Sequence, residues 1–146
     1  PETQNILMYL DNNNVDFLDL IGFNNADYPD NFNLSFVDYK DISGFCCTVV
    51  LAAKGYPINP VKDFYLDTSK VEETNKVKIF HAGTKISNGA IKVSGGRILT
   101  VNAFSDTKQE AIDLAYKNIS KIKAFSDSNL KNEESDLVFF RNDIGS

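Results

Sequence analysis

Two adjacent glycines, Gly95 and Gly96, stand directly before Arg97 and the strand-forming segment 98–104. In this segment apolar side chains mix with threonine and asparagine without strict alternation, which is typical of a strand buried on much of both faces. Such a strand needs covering elements on both sides. Segment 98–104 therefore predicts the strand around which the rest of the chain is organised.

The glycine pair also makes Arg97 a candidate binding residue. Adjacent glycines let the backbone turn sharply and approach a ligand closely, and a guanidinium beside them can hold a phosphate or carboxylate through paired, charge-assisted hydrogen bonds. An ordinary interpretation competes with this one, because Gly-Gly is a common hairpin turn and an arginine at the start of a strand is often a solvated cap. On spacing alone the ordinary interpretation is favoured.

Composition and charge narrow the class of protein. The chain has 146 residues, of which 42% are hydrophobic and 24% charged, and this predicts about one globular domain with a real core. Its net charge of −5 argues against nucleic acid and anionic membranes as partners, because no basic stripe is available to neutralise phosphate chains. One small anion can still be bound by one or two local cations. No apolar run approaches the roughly 20 residues of a membrane span and no signal peptide is recognisable, so a cytoplasmic location is expected.

The most apolar run, residues 45–53, predicts a central strand that ends abruptly at Lys54. Residues at strand ends often bind ligands, so Lys54 and Tyr56 are site candidates; equally, the glycine and proline on either side of Tyr56 only end the strand. Cys46 and Cys47 are neighbours in this strand and point to opposite faces. They are expected to be small buried residues rather than a disulfide or a metal site.

The N-terminal residues predict a helix, because Pro1 and Glu2 suit a first helical turn and apolar residues follow at 6–10. No capping residue precedes Pro1, which predicts a piece of a longer chain. Further on, a second short helix is expected over 15–21, and a short strand over 35–39 inside a loop rich in asparagine.

The dipeptide Asn88-Gly89 is a strong hairpin signal, and it predicts that segments 78–80 and 90–93 pair antiparallel. The glycine pair would then turn the chain into segment 98–104, which gives a meander. His81, the only histidine, follows the first of these strands. A lone histidine there is more often a hydrogen-bonded structural residue than a catalyst, and no metal-ligand spacing surrounds it.

Thr107 and Glu110 form a capping box for a helix whose apolar residues recur at helical spacing over 111–122, and this helix is expected to cover the sheet. A short strand is expected at 64–66, and residues 137–140 are expected to form a short edge strand or a docking segment. The fold class is therefore α+β, a mostly antiparallel sheet of about four strands backed by helices. The sequence contains no phosphate-binding loop, dinucleotide fingerprint, zinc-binding helix motif or nucleophile elbow.

Five segments, in this order along the chain, closely resemble the C-terminal part of glycinamide ribonucleotide synthetase, also called phosphoribosylamine–glycine ligase. They are residues 1–4, 49–57, 77–85, 95–101 and 141–145. The resemblance implies an ATP-grasp enzyme of de novo purine synthesis. In that family ATP phosphorylates the glycine carboxylate, and the amine of 5-phosphoribosylamine attacks the acyl phosphate to give glycinamide ribonucleotide, ADP and phosphate.

The resemblance also implies what this chain contributes. Residues 1–25 would be the helical end of the ATP-grasp core, and residues 26–146 a C-terminal α+β domain. In the family, the Glu and Asn that hold magnesium lie just before the motif at 1–4, so ATP and Mg²⁺ (or Mn²⁺) would be bound mainly by the missing upstream region. The implied partners are the small molecules phosphoribosylamine, glycine and ATP, and the rest of the parent chain. We expect no catalytic residue and no metal ligand in this chain, and no activity from it alone.

Related ATP-grasp enzymes that act on ribonucleotide substrates hold the 5′-phosphate with an arginine at the start of the matching strand. The resemblance gives this role to Arg97, with Gly95 and Gly96 allowing close approach. Glu2 and Thr3 would follow the metal ligands directly and face glycine or the phosphoribosylamine amine, unless they only begin the helix. Weaker candidates from the matching motifs, which could equally conserve turns, are Lys54, His81, Gly83 and Thr84.

Two segments depart from the family. Residues 102–105 are Asn-Ala-Phe-Ser where the family usually has Thr-Ala-Leu-Gly, which is expected to alter packing only. Residues 140–142 carry one basic residue where the family usually has two, which removes support for a binding role of that tail. Two other functions stay open: a non-catalytic module that binds a small anion, and the C-terminal domain of another ATP-grasp carboxylate–amine ligase.

Overall fold

The structure, a computed structural model, describes residues 2–13 and 43–145. Its helices are α1 (Glu2–Asn12) and α2 (Lys108–Ile119), and a 3₁₀ turn covers Ser135–Leu137. Its strands are β1 (Phe45–Ala53), β2 (Tyr65–Asp67), β3 (Val77–His81), β4 (Thr84–Ser87), β5 (Ala90–Val93), β6 (Arg97–Ser105), β7 (Lys123–Phe125) and β8 (Val138–Phe139). The helix expected over 15–21, the strand expected over 35–39 and the domain boundary after residue 25 lie outside the described residues. Within the described ranges, no helix is long and apolar enough to cross a membrane.

The strands form two sheets in which every pair is antiparallel. The first sheet has the order β3-β6-β1-β8, and the second has the order β4-β5-β2-β7. β6 lies inside the first sheet and is buried at every residue after Arg97. The predicted α+β class, with four antiparallel strands backed by helices, is confirmed by the first sheet. The second sheet was not predicted.

The two helices cover opposite faces of the first sheet. The side chains of Thr48 and Asn102 share the face that α1 covers, whereas Val49 and Val101, one residue further along each strand, point to the other face. That second face joins α2 and the second sheet in one hydrophobic core. Its buried members include Leu51, Leu66, Val93, Leu99, Ala111, Ala115 and Ile119.

The N-cap of α2 is Thr107, as predicted, and its hydroxyl accepts a hydrogen bond from the Glu110 amide. The Glu110 carboxylate, which a capping box would place on the Thr107 amide, accepts a hydrogen bond from the Ser105 hydroxyl over 2.8 Å. The helix is shorter than its apolar pattern, because it ends at Ile119 and the chain turns at Ser120 into β7. Ile122 therefore packs into the core from the connection and not from the helix.

The predicted strand pairing around Asn88-Gly89 is wrong, although the turn itself is present. The turn joins β5 to β4, a strand absent from the prediction, while β3 pairs with β6. The predicted meander is also wrong, because β5 and β6 belong to different sheets. The physical reason is that an Asn-Gly turn dictates only its immediate flanks. The residues that flank this turn on its N-terminal side are those of β4, which begins at Thr84. β3 ends before the bend at 82–83, where the chain passes from the first sheet to the second, so the turn does not determine its partner.

A buried polar network fixes α1 on the first sheet. The Thr100 hydroxyl donates to Asn102 Oδ1 over 2.8 Å, and Asn102 Nδ2 donates to the Thr48 hydroxyl over 2.6 Å. The Thr48 hydroxyl in turn donates to Asn5 Oδ1, and the side-chain amide of Gln4 lies 3.1 Å from the Thr100 hydroxyl. Each hydroxyl and amide in this network therefore has a partner, which is what a polar group at such depth requires.

Candidate functional site

The predicted site residues lie at one end of the first sheet, the end at which β6 begins. We call this end the Arg97 end. Because β1 and β3 both run antiparallel to β6, they end where β6 begins. Ala52 pairs with Arg97 and His81 pairs with Leu99, so Lys54, one residue after β1, also lies here.

Helix α1 starts at this same end. Its residue Gln4 lies beside Thr100, and the ring of Tyr9 packs edge-on against Phe104 with the ring centres 6.1 Å apart. Since residue numbers rise together along α1 and β6, the two elements run in the same direction. Thr3, which is exposed in the first turn of α1, therefore lies toward the Arg97 end.

Gly83 and Gly95 let two turns of backbone touch beneath Arg97. The Gly83 amide donates to the Arg97 carbonyl oxygen over 2.9 Å, and the amides of Ser94 and Gly95 donate to the Gly83 carbonyl oxygen over 2.8 and 3.1 Å. A Cβ atom at Gly83 would lie 2.6 Å from the Arg97 carbonyl oxygen and 2.7 Å from the Gly95 Cα. The bend at Gly83 thus needs a glycine because protein backbone fills the space, and it fixes the position of the Arg97 main chain.

Gly96 is in close contact with the end of β1 and with the ring of Tyr56. Its carbonyl oxygen accepts a hydrogen bond from the Ala53 amide over 2.8 Å. A Cβ atom there would lie 2.4 Å from Cδ2 of the Tyr56 ring. Tyr56, singled out in the sequence only for its place after a strand, therefore packs on the glycine that precedes Arg97. Close approach of this glycine pair to a ligand stays a prediction.

The side chain of Arg97 is free while its main chain is held. The residue is exposed, and no hydrogen bond or ion pair joins its guanidinium to the part of the chain that the structure describes. The other arginine, Arg141, differs: its Nε and Nη2 donate to the two carboxylate oxygens of Asp143 over 2.8 and 2.5 Å. This pairing lowers the pKa of Asp143 and raises that of Arg141. Of the two arginines, Arg97 is the one available to an anion.

Lys54 is already paired, since its ammonium group donates to the carboxylate of Asp136. Its main chain is also engaged, with the amide donating to the Leu137 carbonyl oxygen over 2.9 Å. Both side chains of the ion pair are more than half exposed. Such surface pairs contribute about 0–1 kcal/mol to stability. An incoming anion would therefore exchange with Asp136 at little cost, but Lys54 is not a free cation.

His81 and Thr84 meet across the bend at 82–83. The His81 Nδ1 atom lies 2.9 Å from the Thr84 hydroxyl, and His81 is exposed. This hydrogen bond agrees with the interpretation of His81 as a structural residue. In residues 2–13 and 43–145 no group of three His, Cys, Asp or Glu side chains is placed to hold a metal ion.

The two cysteines are free thiols at the opposite end of β1 from Lys54. Cys47 is buried as predicted, whereas Cys46 is only half-buried. Burial raises the pKa of Cys46 to about 11. Because the thiolate is the nucleophile and the metal ligand, burial makes Cys46 a poor candidate for either role at neutral pH.

The fold is that of an α+β domain, and at its Arg97 end the guanidinium of Arg97 makes no hydrogen bond or ion pair with the residues that the structure describes. The family model described as "Phosphoribosylglycinamide synthetase, C domain" matches residues 46–146. The chain belongs to this family, and its predicted resemblance is confirmed.

Relatives cover almost the whole chain. The phosphoribosylamine–glycine ligase of Fusobacterium nucleatum is 36% identical over 147 residues, which span 99% of this chain and 30% of the relative. That of Clostridium acetobutylicum is 36% identical over 145 residues, with the same coverage of 99% and 30%. The crystal structure of the Thermotoga maritima phosphoribosylamine–glycine ligase is 33% identical and superposes with a TM-score of 0.49 over 64% of this chain and 22% of that chain. This chain thus spans about 30% of the length of the curated relatives it matches.

Proposed function

We propose that this chain is the C-terminal part of an ATP-dependent ligase that joins glycine to 5-phosphoribosylamine to form glycinamide ribonucleotide. Membership of the family supports the reaction, and two relatives with that activity in their name align over 99% of the chain. The observation that carries the proposal is the free guanidinium of Arg97 on a main chain held by Gly83. A bidentate cation of this kind suits the 5′-phosphate of phosphoribosylamine.

The contribution of this chain to the reaction is positioning. Arg97 would bind the 5′-phosphate, which takes no part in bond formation, and the binding energy would orient the distant amine toward the acyl phosphate of glycine. The hydrogen bond from Gly83 fixes the Arg97 main chain. Because the main chain is rigid before the substrate arrives, only the Arg97 side chain has to be ordered on binding.

The other candidate residues differ in how directly they would contact the substrates. Thr3 and Glu2 begin α1 at the Arg97 end and would face glycine or the amine. Lys54 would supply a second positive charge only after leaving Asp136. Gly83 acts through the position of Arg97, and His81 with Thr84 stabilises the bend that contains it.

ATP would supply the phosphoryl group of the acyl phosphate and leave as ADP, and we assign ATP and its Mg²⁺ (or Mn²⁺) mainly to the region upstream of this chain. The described residues lack a set of side chains for the metal, so no step is assigned to a metal ligand here. The proposed ligase acts on small molecules, and a cytoplasmic location stays a prediction. A non-catalytic module that binds a small anion is the alternative, since Arg97 alone would serve it equally.

The deciding experiment is an activity assay on the complete ligase chain, with this 146-residue chain beside it. We expect the complete protein to hydrolyse ATP only when glycine and phosphoribosylamine are both present, and the 146-residue chain to be inactive. Replacing glycine with alanine or serine is the control for substrate class. A complete protein whose ATP hydrolysis does not depend on glycine would reject the ligase and favour the anion-binding module.

A further inference from the structure

We propose that the turn after β1, residues 55–61, is the surface on which the upstream part of the complete ligase packs. We call these residues the apolar turn. The inference rests on the proposed function in one respect, namely that the chain is part of a longer ligase. It concerns how the parts of that ligase are joined, and it needs no assumption about which substrate Arg97 binds.

The apolar turn exposes three hydrophobic side chains to solvent. Its sequence, Gly-Tyr-Pro-Ile-Asn-Pro-Val, contains no charged residue and lies between Lys54 and Lys62. Ile58 is 95% exposed, and Tyr56 and Val61 are each 38% exposed. Single exposed hydrophobic residues are common on protein surfaces, but three within one uncharged turn form a patch, and patches mark contact surfaces.

The backbone of the apolar turn is fixed. The amide of Tyr56 donates to the Ala53 carbonyl oxygen over 3.0 Å, that of Asn59 to Gly55 over 2.9 Å, and that of Val61 to Lys54 over 2.8 Å. The Tyr56 ring also packs on Gly96 from the inner side. Ile58 is therefore held outward by a hydrogen-bonded turn and cannot fold back onto the core without breaking it. A preorganised apolar projection loses little conformational entropy when a partner covers it.

The position of the apolar turn indicates what covers it. It lies at the Arg97 end of the first sheet, where α1 begins. The chain spans about 30% of the length of its relatives, so a protein of that length has more than twice as many residues outside this chain as inside it. The substrates proposed for the Arg97 end are polar or charged, and they offer no match for Ile58. The upstream part of the same ligase is thus the occupant that both the position and the chemistry favour.

The test is hydroxyl-radical footprinting of the unmodified complete ligase, with Ile86 as the internal reference. Ile86 is also an isoleucine, is 74% exposed, and lies on β4 at the edge of the second sheet. On exposure in this chain alone, Ile58 should be oxidised at least as fast as Ile86. If the upstream part covers the apolar turn, Ile58 will instead be oxidised several-fold more slowly than Ile86. Oxidation of Ile58 at the rate of Ile86 or faster overturns the proposal.

Two further measurements separate the remaining occupants. A dilution series with sedimentation tests for a second copy, because protection of Ile58 that disappears as the protein becomes monomeric would place another ligase molecule on the turn and overturn the proposal. Thermal unfolding of Ile58→Asp against the matched variant Ile86→Asp tests the contact energetically. We expect Ile58→Asp to lower the midpoint of the complete protein by several degrees, and Ile86→Asp to leave it unchanged. Equal midpoints for the two variants overturn the proposal, and Ile58→Ser replaces the aspartate variant if that one does not fold.

These measurements do not depend on catalysis. Protection of Ile58 in a complete protein that lacks glycine-dependent ATP hydrolysis would reject the proposed function and keep the packing surface. Full ligase activity with an exposed Ile58 would do the reverse.

Discussion

Replacing Arg97 with alanine tests the proposed site directly. In the free protein the guanidinium has no hydrogen bond or ion pair among the described residues, so its loss removes no internal interaction. Exposed substitutions of this kind change stability by about 0.5 kcal/mol or less. We therefore expect Arg97→Ala to unfold at the same denaturant concentration as the unmodified chain. Any change in activity would then report on ligand binding.

The expected loss follows from the geometry of the arginine. A guanidinium that meets a phosphate through two charge-assisted hydrogen bonds contributes on the order of 2–3 kcal/mol to binding. Since about 1.4 kcal/mol corresponds to a tenfold change, this loss equals an affinity change of roughly 30- to 150-fold. Arg97→Lys keeps the charge but not the paired donors, so it should recover only part of the affinity.

The assay is steady-state kinetics of the complete ligase with phosphoribosylamine varied and ATP and glycine saturating. We expect the KM for phosphoribosylamine to rise by about 30- to 150-fold, and the KM for ATP to stay within about twofold. The matched control is Arg141→Ala, because Arg141 is occupied by Asp143 and its contact with Tyr116 is made by the main-chain carbonyl. Phosphoribosylamine kinetics that are the same in Arg97→Ala and the unmodified enzyme would refute the assignment.

Three further predictions concern the frame and the core. Gly83→Ala places a Cβ atom 2.6 Å from the Arg97 carbonyl oxygen, so chemical denaturation should show a loss of about 1–3 kcal/mol, and a stability equal to that of the unmodified protein would contradict the close contact. Thr48→Val removes the acceptor of the buried Asn102 amide, which should cost about 1–3 kcal/mol by the same measurement, whereas a neutral result would show that the amide finds another partner. Because its pKa is raised from 9.0 to about 11, Cys46 should be alkylated by iodoacetamide at pH 8 roughly 100-fold more slowly than an ordinary thiol, with the rate rising up to about pH 11. A rate that levels off near pH 9 would show that Cys46 is not desolvated.

Elements with a strong local signal were predictable from the sequence. A few neighbouring residues are enough to predict three elements. These are the strands β1 and β6, from their long apolar runs, and the start of α2, from its capping residues. β4 was missed because only one of its four residues is apolar, and β7 because its three residues directly follow the apolar pattern of α2. The pairing of β3 was mispredicted for a different reason. β3 pairs with β6 because of packing across the whole sheet, and a local sequence pattern does not predict such long-range pairing.

The Arg97 end was predictable as a set of residues but not as a set of contacts. The glycine pair marked Arg97, yet nothing local could show that its guanidinium is free. Nothing local in the sequence shows that Lys54 is paired, because its partner Asp136 lies 82 residues away. Close approach of Gly95 and Gly96 to a ligand stays a prediction, and no local pattern could show that a Cβ atom at these positions would meet Gly83 and the ring of Tyr56.

The departure at Asn102 changes more than packing. Where the family usually has threonine, the longer amide of Asn102 reaches both Thr48 and Thr100, and these two hydroxyls contact the side chains of Asn5 and Gln4 in α1. A threonine hydroxyl also donates one hydrogen bond and accepts another, but it lies directly on Cβ and does not reach as far as the two ends of the asparagine amide. The network therefore fixes the register of α1 against β6. In the proposed ligase, a polar network in the middle of the sheet would therefore hold the start of α1, with Thr3, at a fixed position relative to Arg97.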